Sequence, residues 1–138
     1  MPATHGRGAR YLTPDPATGS ATKRWYLMLR WLVRSEFPDL GVWAELGSHR
    51  LVLPLDTHVA RLVGYLGLSS RRTVDYRMAR EATDALRLVH RDDPLRYDMP
   101  LCHLGIAGAC EHRYIAEVCG RCDLRGVCQW TDDGRKRA

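Results

Sequence analysis

The sequence predicts an all-α fold. Three observations carry that expectation: apolar residues recur at i, i+3, i+4 and i+7 in several windows, helix-start and helix-stop residues bracket those windows, and no segment alternates apolar and polar residues for long enough to form a sheet. The 138 residues, 45% hydrophobic and 27% charged, suit one small globular domain or a portion of a larger one. A chain disordered throughout would hold far fewer apolar side chains.

Residues 1–18 are Pro, Gly, Thr and Ala around a lone Tyr11 and Leu12 pair, and an irregular segment is expected there. A helix is expected over about residues 21–34, with Trp25, Met28, Leu29, Leu32 and Val33 on one face and Lys23, Arg30 and Arg34 on the opposite one. After Pro38, residues 40–46 can make a short helix, and residues 51–55 form an apolar connector holding Pro54. Asp56 is the expected N-cap of the next helix, which carries Val59, Leu62, Val63 and Leu66 on one stripe and stops at Gly67. Thr73 is the expected cap of a helix bearing Val74, Met78, Ala82, Ala85, Leu86 and Val89. Asp93 with Pro94 opens a last one bearing Leu95, Met99, Cys102 and Ile106, in which Pro100 is expected to force a kink costing ~3 kcal/mol. The expected division is an irregular segment 1–18, a helical domain 19–109, a cysteine loop 110–128 and a tail 129–138.

The net charge of +5 lies wholly in the first quarter: residues 1–35 hold six basic side chains against Asp15, and the rest of the chain is balanced. A basic field of that kind suits a nucleic acid, although an ordinary solvated surface has the same composition. Nineteen of the 21 basic residues are Arg, which leaves Lys23 as the only lysine apart from Lys136 near the C-terminus. No apolar run is long enough to cross a bilayer and the first 20 residues have no continuous apolar stretch of a secretory signal, so a cytoplasmic location is expected.

Five cysteines in such a chain point to metal or redox chemistry rather than a disulfide framework. Cys110, Cys119, Cys122 and Cys128 form a C-x8-C-x2-C-x5-C run, and four thiolates so spaced can hold either a cubane iron-sulfur cluster or zinc. A single C-x2-C pair, where four-cysteine zinc modules more often show two, favours iron-sulfur. Cys102 falls on an apolar stripe and reads as a small buried hydrophobe.

Two further motifs can carry chemistry. Asp56, in Pro54-Leu55-Asp56-Thr57-His58-Val59, is either a plain helix cap or a carboxylate able to steer a proton or stabilise a developing cation; His58 reads as a structural hydrogen-bonder. Gly19-Ser20-Ala21-Thr22-Lys23-Arg24 is a Gly-led turn running into a helix, an arrangement that can offer backbone N–H groups to a phosphate, with Arg24 and Arg30 as further DNA contacts. Neighbouring cations favour the neutral amine of a lysine, so Lys23 is a candidate nucleophile, set against the commoner case of a solvated surface lysine.

Gly-x-x-x-Lys opening a helix, an Asp-Thr-His helix start, and four terminal cysteines, in that order, resemble the helix-hairpin-helix DNA glycosylases typified by endonuclease III. Leu29-Arg30-Trp31-Leu32-Val33-Arg34, Asp39-Leu40-Gly41-Val42-Trp43, Leu66-Gly67-Leu68 and Asp93-Pro94-Leu95-Arg96-Tyr97-Asp98 further resemble domain of unknown function 2400, within or near that superfamily; the resemblance spans about residues 17–128. It implies a base-excision repair enzyme that flips a damaged base and cuts its N-glycosidic bond, with Lys23 attacking C1′, Asp56 stabilising the transition state, AP lyase activity, and a 4Fe-4S cluster on Cys110, Cys119, Cys122 and Cys128. Relatives carry a longer N-terminal region, so the resemblance implies the C-terminal part only, a truncated or inactive fragment or one completed by a separately encoded N-terminal half or a homo-oligomer through an apolar face at Trp25, Leu29, Leu32, Leu62 and Leu66. The competing function is a non-catalytic nucleic-acid-binding module with a structural four-cysteine iron-sulfur or zinc site.

Overall fold

A computed structural model describes residues 7–130; residues 1–6 and most of the expected tail, residues 131–138 with Lys136, lie outside them. The described residues are all-α: α1 (Arg7–Leu12), α2 (Lys23–Val33), α3 (Thr57–Tyr65), α4 (Tyr76–Val89), α5 (Asp98–Ile106) and α6 (Ala116–Cys119), with short 3-10 turns at Pro16–Thr18, Ala44–Leu46 and Ser48–Arg50. Extended pairing among them is limited to one isolated bridge between Ser20 and Asp75.

The helices form where local rules place them. Asp56 accepts the Val59 amide at 2.7 Å and so caps α3, which ends at Leu66 with Gly67 in the left-handed region at φ 69°. The α4 cap is Asp75, which accepts from Met78 N, and not Thr73; Asp75 lies three residues before that first-turn amide, the reach of a capping side chain, whereas Thr73 lies five before it. Residues 94–97 are turn rather than helix, and α5 begins at Asp98. Pro100 therefore sits in the first turn, where its missing N–H has no helical partner to lose, and the expected kink is not needed. Nor are residues 1–18 irregular throughout: α1 and the Pro16–Thr18 turn lie there, and residues 40–46 contribute only the Ala44–Leu46 turn. The N-terminal turns are tied to α2, since Arg24 stacks over the Tyr11 ring at 4.1 Å and Trp25 Nε1 donates to Pro14 O.

The core gathers α3, α4 and the connector between them and α2. Leu53, Val59, Val63, Ala79, Ala82 and Leu95 are fully buried, and each large aliphatic so removed from water contributes about 1.5–3 kcal/mol. Every residue from Leu51 to Leu55 is buried. This extended connector would leave amides unpaired, and Thr83 supplies one answer: its hydroxyl accepts from Leu53 N at 2.9 Å and donates to Ala79 O at 2.6 Å. Helices α3 and α5 pack together closely at Gly105, whose hydrogen faces His58.

Helix α2 lies rotated from the orientation that its periodicity predicts. Thr22, Arg30, Val33 and Arg34 are buried, Tyr26 and Leu29 pack on the core, and Trp25 and Trp31 are exposed. Arg30 donates to Asp98 at 2.7 Å; Arg34 forks onto Asp93 at 2.8–3.1 Å and reaches Asp39 at 2.5 Å. Asp39 just beyond the helix and two acids from distant segments, Asp93 and Asp98, thus turn the two arginines inward, which a count of apolar residues along α2 alone does not register. Arg30, expected as a DNA contact, is buried, with its guanidinium facing Asp98 and Asp39 rather than the surface.

Candidate active site

The starts of α2 and α3 meet. Lys23 is the first residue of α2, and its Nζ lies 3.1 Å from Asp56 Oδ2, bringing together two residues 33 apart in the chain. A cation at the positive end of a helix is locally unfavourable, so Lys23 gains from Asp56 and from nothing in its own helix. Oδ1 of Asp56 caps α3 through Val59 N while Oδ2 holds the Lys23 ammonium, so the cap leaves one carboxylate oxygen turned to the amine. The Lys23 side chain remains 42% exposed and that of Asp56 17%, which leaves the amine reachable from solvent and the carboxylate sheltered.

Burial pushes the Asp56 carboxyl up, but the Val59 amide and the Lys23 ammonium outweigh it and hold the group below the usual carboxylate range. Asp56 is therefore ionised near neutrality. The arginines expected to crowd Lys23 are engaged elsewhere, Arg24 with Tyr11 and Arg30 with the acids of the core.

Three residues that sequence reasoning left out of the site complete it. Cys102 of α5 places Sγ 3.9 Å from Asp56 Oδ2, and burial, followed by the charges of Asp56 and Asp98, raises its thiol pKa. Asp98 is buried beside Arg30; desolvation lifts its carboxyl to about 6 against the pull of the guanidinium. Thr22, immediately before Lys23, is buried with φ at 39°, a left-handed conformation that costs a β-branched residue on the order of 1–3 kcal/mol. The contribution of Cys102 was visible only as an apolar-stripe position, and nothing local marks Thr22.

Gly19 and Ser20, expected at a DNA phosphate, lie in the turn before α2. The Gly19 amide is taken by Pro16 O at 3.1 Å and its carbonyl accepts from Tyr76 N at 3.0 Å, while Ser20 bridges to Asp75. The turn is thus fastened to the start of α4, and its Gly amide is committed within the fold.

The four cysteines of the C-terminal run line one small cavity of ≈ 40 Å³ against Leu62, Tyr65 and Leu66 of α3 and its cap. Burial pushes the Cys110 thiol up and the neighbouring Cys122, Cys128 and Cys119 add to it, with the His112 amide opposing. Among the described residues no three His, Cys, Asp or Glu side chains are grouped so as to hold a single metal ion. The loop is fixed to α3 by Gln129 N donating to Tyr65 O at 2.7 Å, by Tyr65 OH donating to His112 O at 2.8 Å, and by His58 Nδ1 standing 3.3 Å from His112 Nε2.

The model of a family described as "Protein of unknown function (DUF2400)" matches residues 2–107. The chain belongs to the DUF2400 family. No curated protein and no solved structure matches it. The DUF2400 match takes in Lys23, Asp56, Asp98 and Cys102 and ends before Cys110, so the four-cysteine loop lies beyond it. It also includes residues 2–16, ahead of the segment on which the resemblance rested. Among the described residues no helix is long and apolar enough to cross a membrane.

Proposed function

We propose that this DUF2400 chain is a DNA glycosylase of base-excision repair, related to the helix-hairpin-helix enzymes, with Lys23 as nucleophile, Asp56 as its carboxylate and AP lyase activity following from the same intermediate. The observation that carries the reading is the 3.1 Å contact between Lys23 Nζ and Asp56 Oδ2, an exposed amine on a sheltered, ionised acid. Such a pair suits attack on an electrophilic sugar carbon.

As the C1′–N bond breaks, the ionised Asp56 carboxylate faces the positive charge that develops at C1′; Asp56 then takes a proton from Nζ, and the neutral amine bonds to C1′. The departing base keeps the electron pair of the broken bond and takes up a proton. The C1′–O4′ bond then opens, O4′ is protonated, and a Schiff base links Lys23 to the sugar. Through the developing positive charge at C1′, the Asp56 carboxylate stabilises the transition state. Cys102, packed on the same carboxylate, keeps water from one side of it.

Cys110, Cys119, Cys122 and Cys128 would hold a 4Fe-4S cluster. The chemistry of the donor set suits such a group: all four are thiols lining one cavity, and four thiolates are the donor set that an iron-sulfur cubane or a zinc ion takes. When bound, the cluster would cross-link the loop to itself, and the Gln129, Tyr65 and His112 contacts hold that loop on α3.

Borohydride trapping on duplex DNA with an abasic site tests the reading. Wild type is expected to leave a covalent adduct and Lys23→Gln none. Absence of an adduct from wild type would favour a non-catalytic nucleic-acid-binding module with a structural four-cysteine site, and trapping by Lys23→Gln would remove Lys23 from the chemistry. The DNA partner and a second copy of the chain belong to the same proposal.

A further inference from the structure

An open cavity of ≈ 510 Å³ begins at Asp56 and Thr57 and is walled by Arg61 and Tyr65 of α3 and by Arg71 and Arg72, ahead of α4. Its arginines differ in what they touch. Arg71 is committed: Nε and Nη2 fork onto Asp75 at 3.2 and 2.7 Å, and Nη1 stands 4.0 Å from Glu81. Arg61 and Arg72 are exposed, and among the described residues no acid is paired with either.

The segment that carries Arg72 is held in place. Ser69 Oγ donates to Glu81 at 2.6 Å and accepts the Arg71 amide at 3.2 Å. Asp75, which anchors Arg71, also caps α4 and bridges to Ser20, three residues before Lys23. One short run of contacts therefore fixes the cavity wall and the nucleophile's helix start relative to each other.

We propose that Arg61 and Arg72 grip phosphates of the DNA strand whose sugar is presented to Lys23, with Arg71 and Asp75 as the support that sets their position. This rests on the glycosylase reading above and names the strand contact that reading lacks, since Arg30 is buried and the Gly19 amide is occupied. The chemistry favours a phosphodiester. Two uncompensated guanidiniums face one cavity, each a planar fork matched to phosphate oxygens, and the cavity's acid, Asp56, is already neutralised by Lys23. Phosphates flank every sugar of a strand, so a sugar at Lys23 brings them into the space beside Asp56.

The test is fluorescence anisotropy with a short duplex containing one abasic site, over a range of salt, paired with borohydride trapping. Arg61→Gln/Arg72→Gln is compared with wild type and with Arg91→Gln/Arg96→Gln, which removes equal charge from exposed positions outside the cavity. The expected result is roughly tenfold weaker binding by the cavity variant and a salt slope shallower by about 2, with the control near wild type. Equal affinity of cavity variant and wild type, an equal loss in the control, or no duplex binding by wild type would overturn the proposal. Tighter binding of single-stranded RNA than of the duplex would also overturn it as a DNA contact. Loss of binding in the cavity variant without any trapped adduct from wild type would leave the phosphate grip standing and remove the glycosylase reading. An adduct together with unchanged affinity would do the reverse.

Discussion

Gly105 of α5 lies so close to His58 of α3 that a methyl group added to it would stand 2.7 Å from His58 Cβ. Cβ cannot swing aside as a side-chain tip can, so the helices themselves must separate. Gly105→Ala is expected to cost ~1–3 kcal/mol in denaturant unfolding and, because His58 is the second residue of α3, to disturb the position of Asp56. Unchanged stability and unchanged trapping would show that the α3–α5 contact relaxes freely.

Asp56 caps α3 and, in the proposed reaction, stabilises positive charge, and Asn separates the two. Asp56→Asn keeps a good N-cap, so stability at neutral pH is expected to change by less than ~1 kcal/mol, while loss of the carboxylate charge costs on the order of 2.7–4 kcal/mol in the rate barrier. Because the folded-state pKa of Asp56 is depressed, its contribution to stability is present above the unfolded value near 3.8 and is lost as pH falls through the lower folded value. Acid titration of the melting temperature should show that loss in wild type and not in Asp56→Asn.

Asp98 gives the opposite slope. Its folded pKa of about 6 lies above the ordinary 3.8, so the folded state holds the proton more tightly, and stability from this group rises as pH falls from about 6 toward 4. Relative to Asp98→Asn, wild type is expected to gain on the order of 2–3 kcal/mol between pH 7 and pH 4. A difference independent of pH would show that Arg30 keeps the carboxylate ionised throughout.

Protein purified without oxygen is expected to be brown, with the broad visible absorption of an iron-sulfur cubane. Cys122→Ala is expected to lose that colour and to speed hydrogen exchange across residues 110–128 while leaving α3 and α4 protected, because the loop rests on the core mainly through Tyr65 and His58. A colourless preparation with one tightly bound zinc per chain would overturn the iron assignment.

Phe37 is 97% exposed, and Leu40, Val42, Trp43 and Leu46 follow it on the surface, drawn against α2 by Leu40 N to Trp31 O and Trp43 N to Leu32 O. Of the apolar face expected from the sequence, Trp25 is exposed, Leu29, Leu32 and Leu66 are half-buried and Leu62 is buried, and residues 37–46 add a further exposed apolar run. Analytical ultracentrifugation is expected to show self-association that Phe37→Ser/Leu40→Ser weakens. A wild type that stays monomeric as concentration rises would show that this face needs no cover.

The sequence made legible whatever is decided locally. The Asp56 cap, the Gly67 stop and the middle of the α4 stripe, Met78, Ala82 and Leu86, each depend on residues within a few positions of one another and stand in the structure, whereas Val74, ahead of α4, and Val89 at its end are exposed. The pairing of Lys23 with Asp56 was reached only through the resemblance, since no local pattern links residues 33 apart. What escaped was decided at a distance. Arg30 and Arg34 count as polar along α2, and their burial follows from Asp39, Asp93 and Asp98, up to 68 positions away. The start of α5 and the roles of Cys102 and Thr22 were hidden in the same way, by packing that no single segment records.

The buried arginines also bear on how this chain can change over time. Losing one member of a desolvated ion pair strands the other and costs on the order of 3–5 kcal/mol, a large share of a small domain's stability, whereas replacing the whole set with well-fitting apolar residues can be neutral. No sequence of single, individually tolerable substitutions connects those two states. Arg30, Arg34, Asp93 and Asp98 are thereby locked in by one another, and they would persist in a descendant that had abandoned its chemistry. Lys23 carries no such entanglement: it is 42% exposed and its one acidic contact doubles as a helix cap. In any lineage of such chains, the lysine would therefore fade first when the activity is lost, and its presence is a better marker of a working site than the whole of the ionic core behind it.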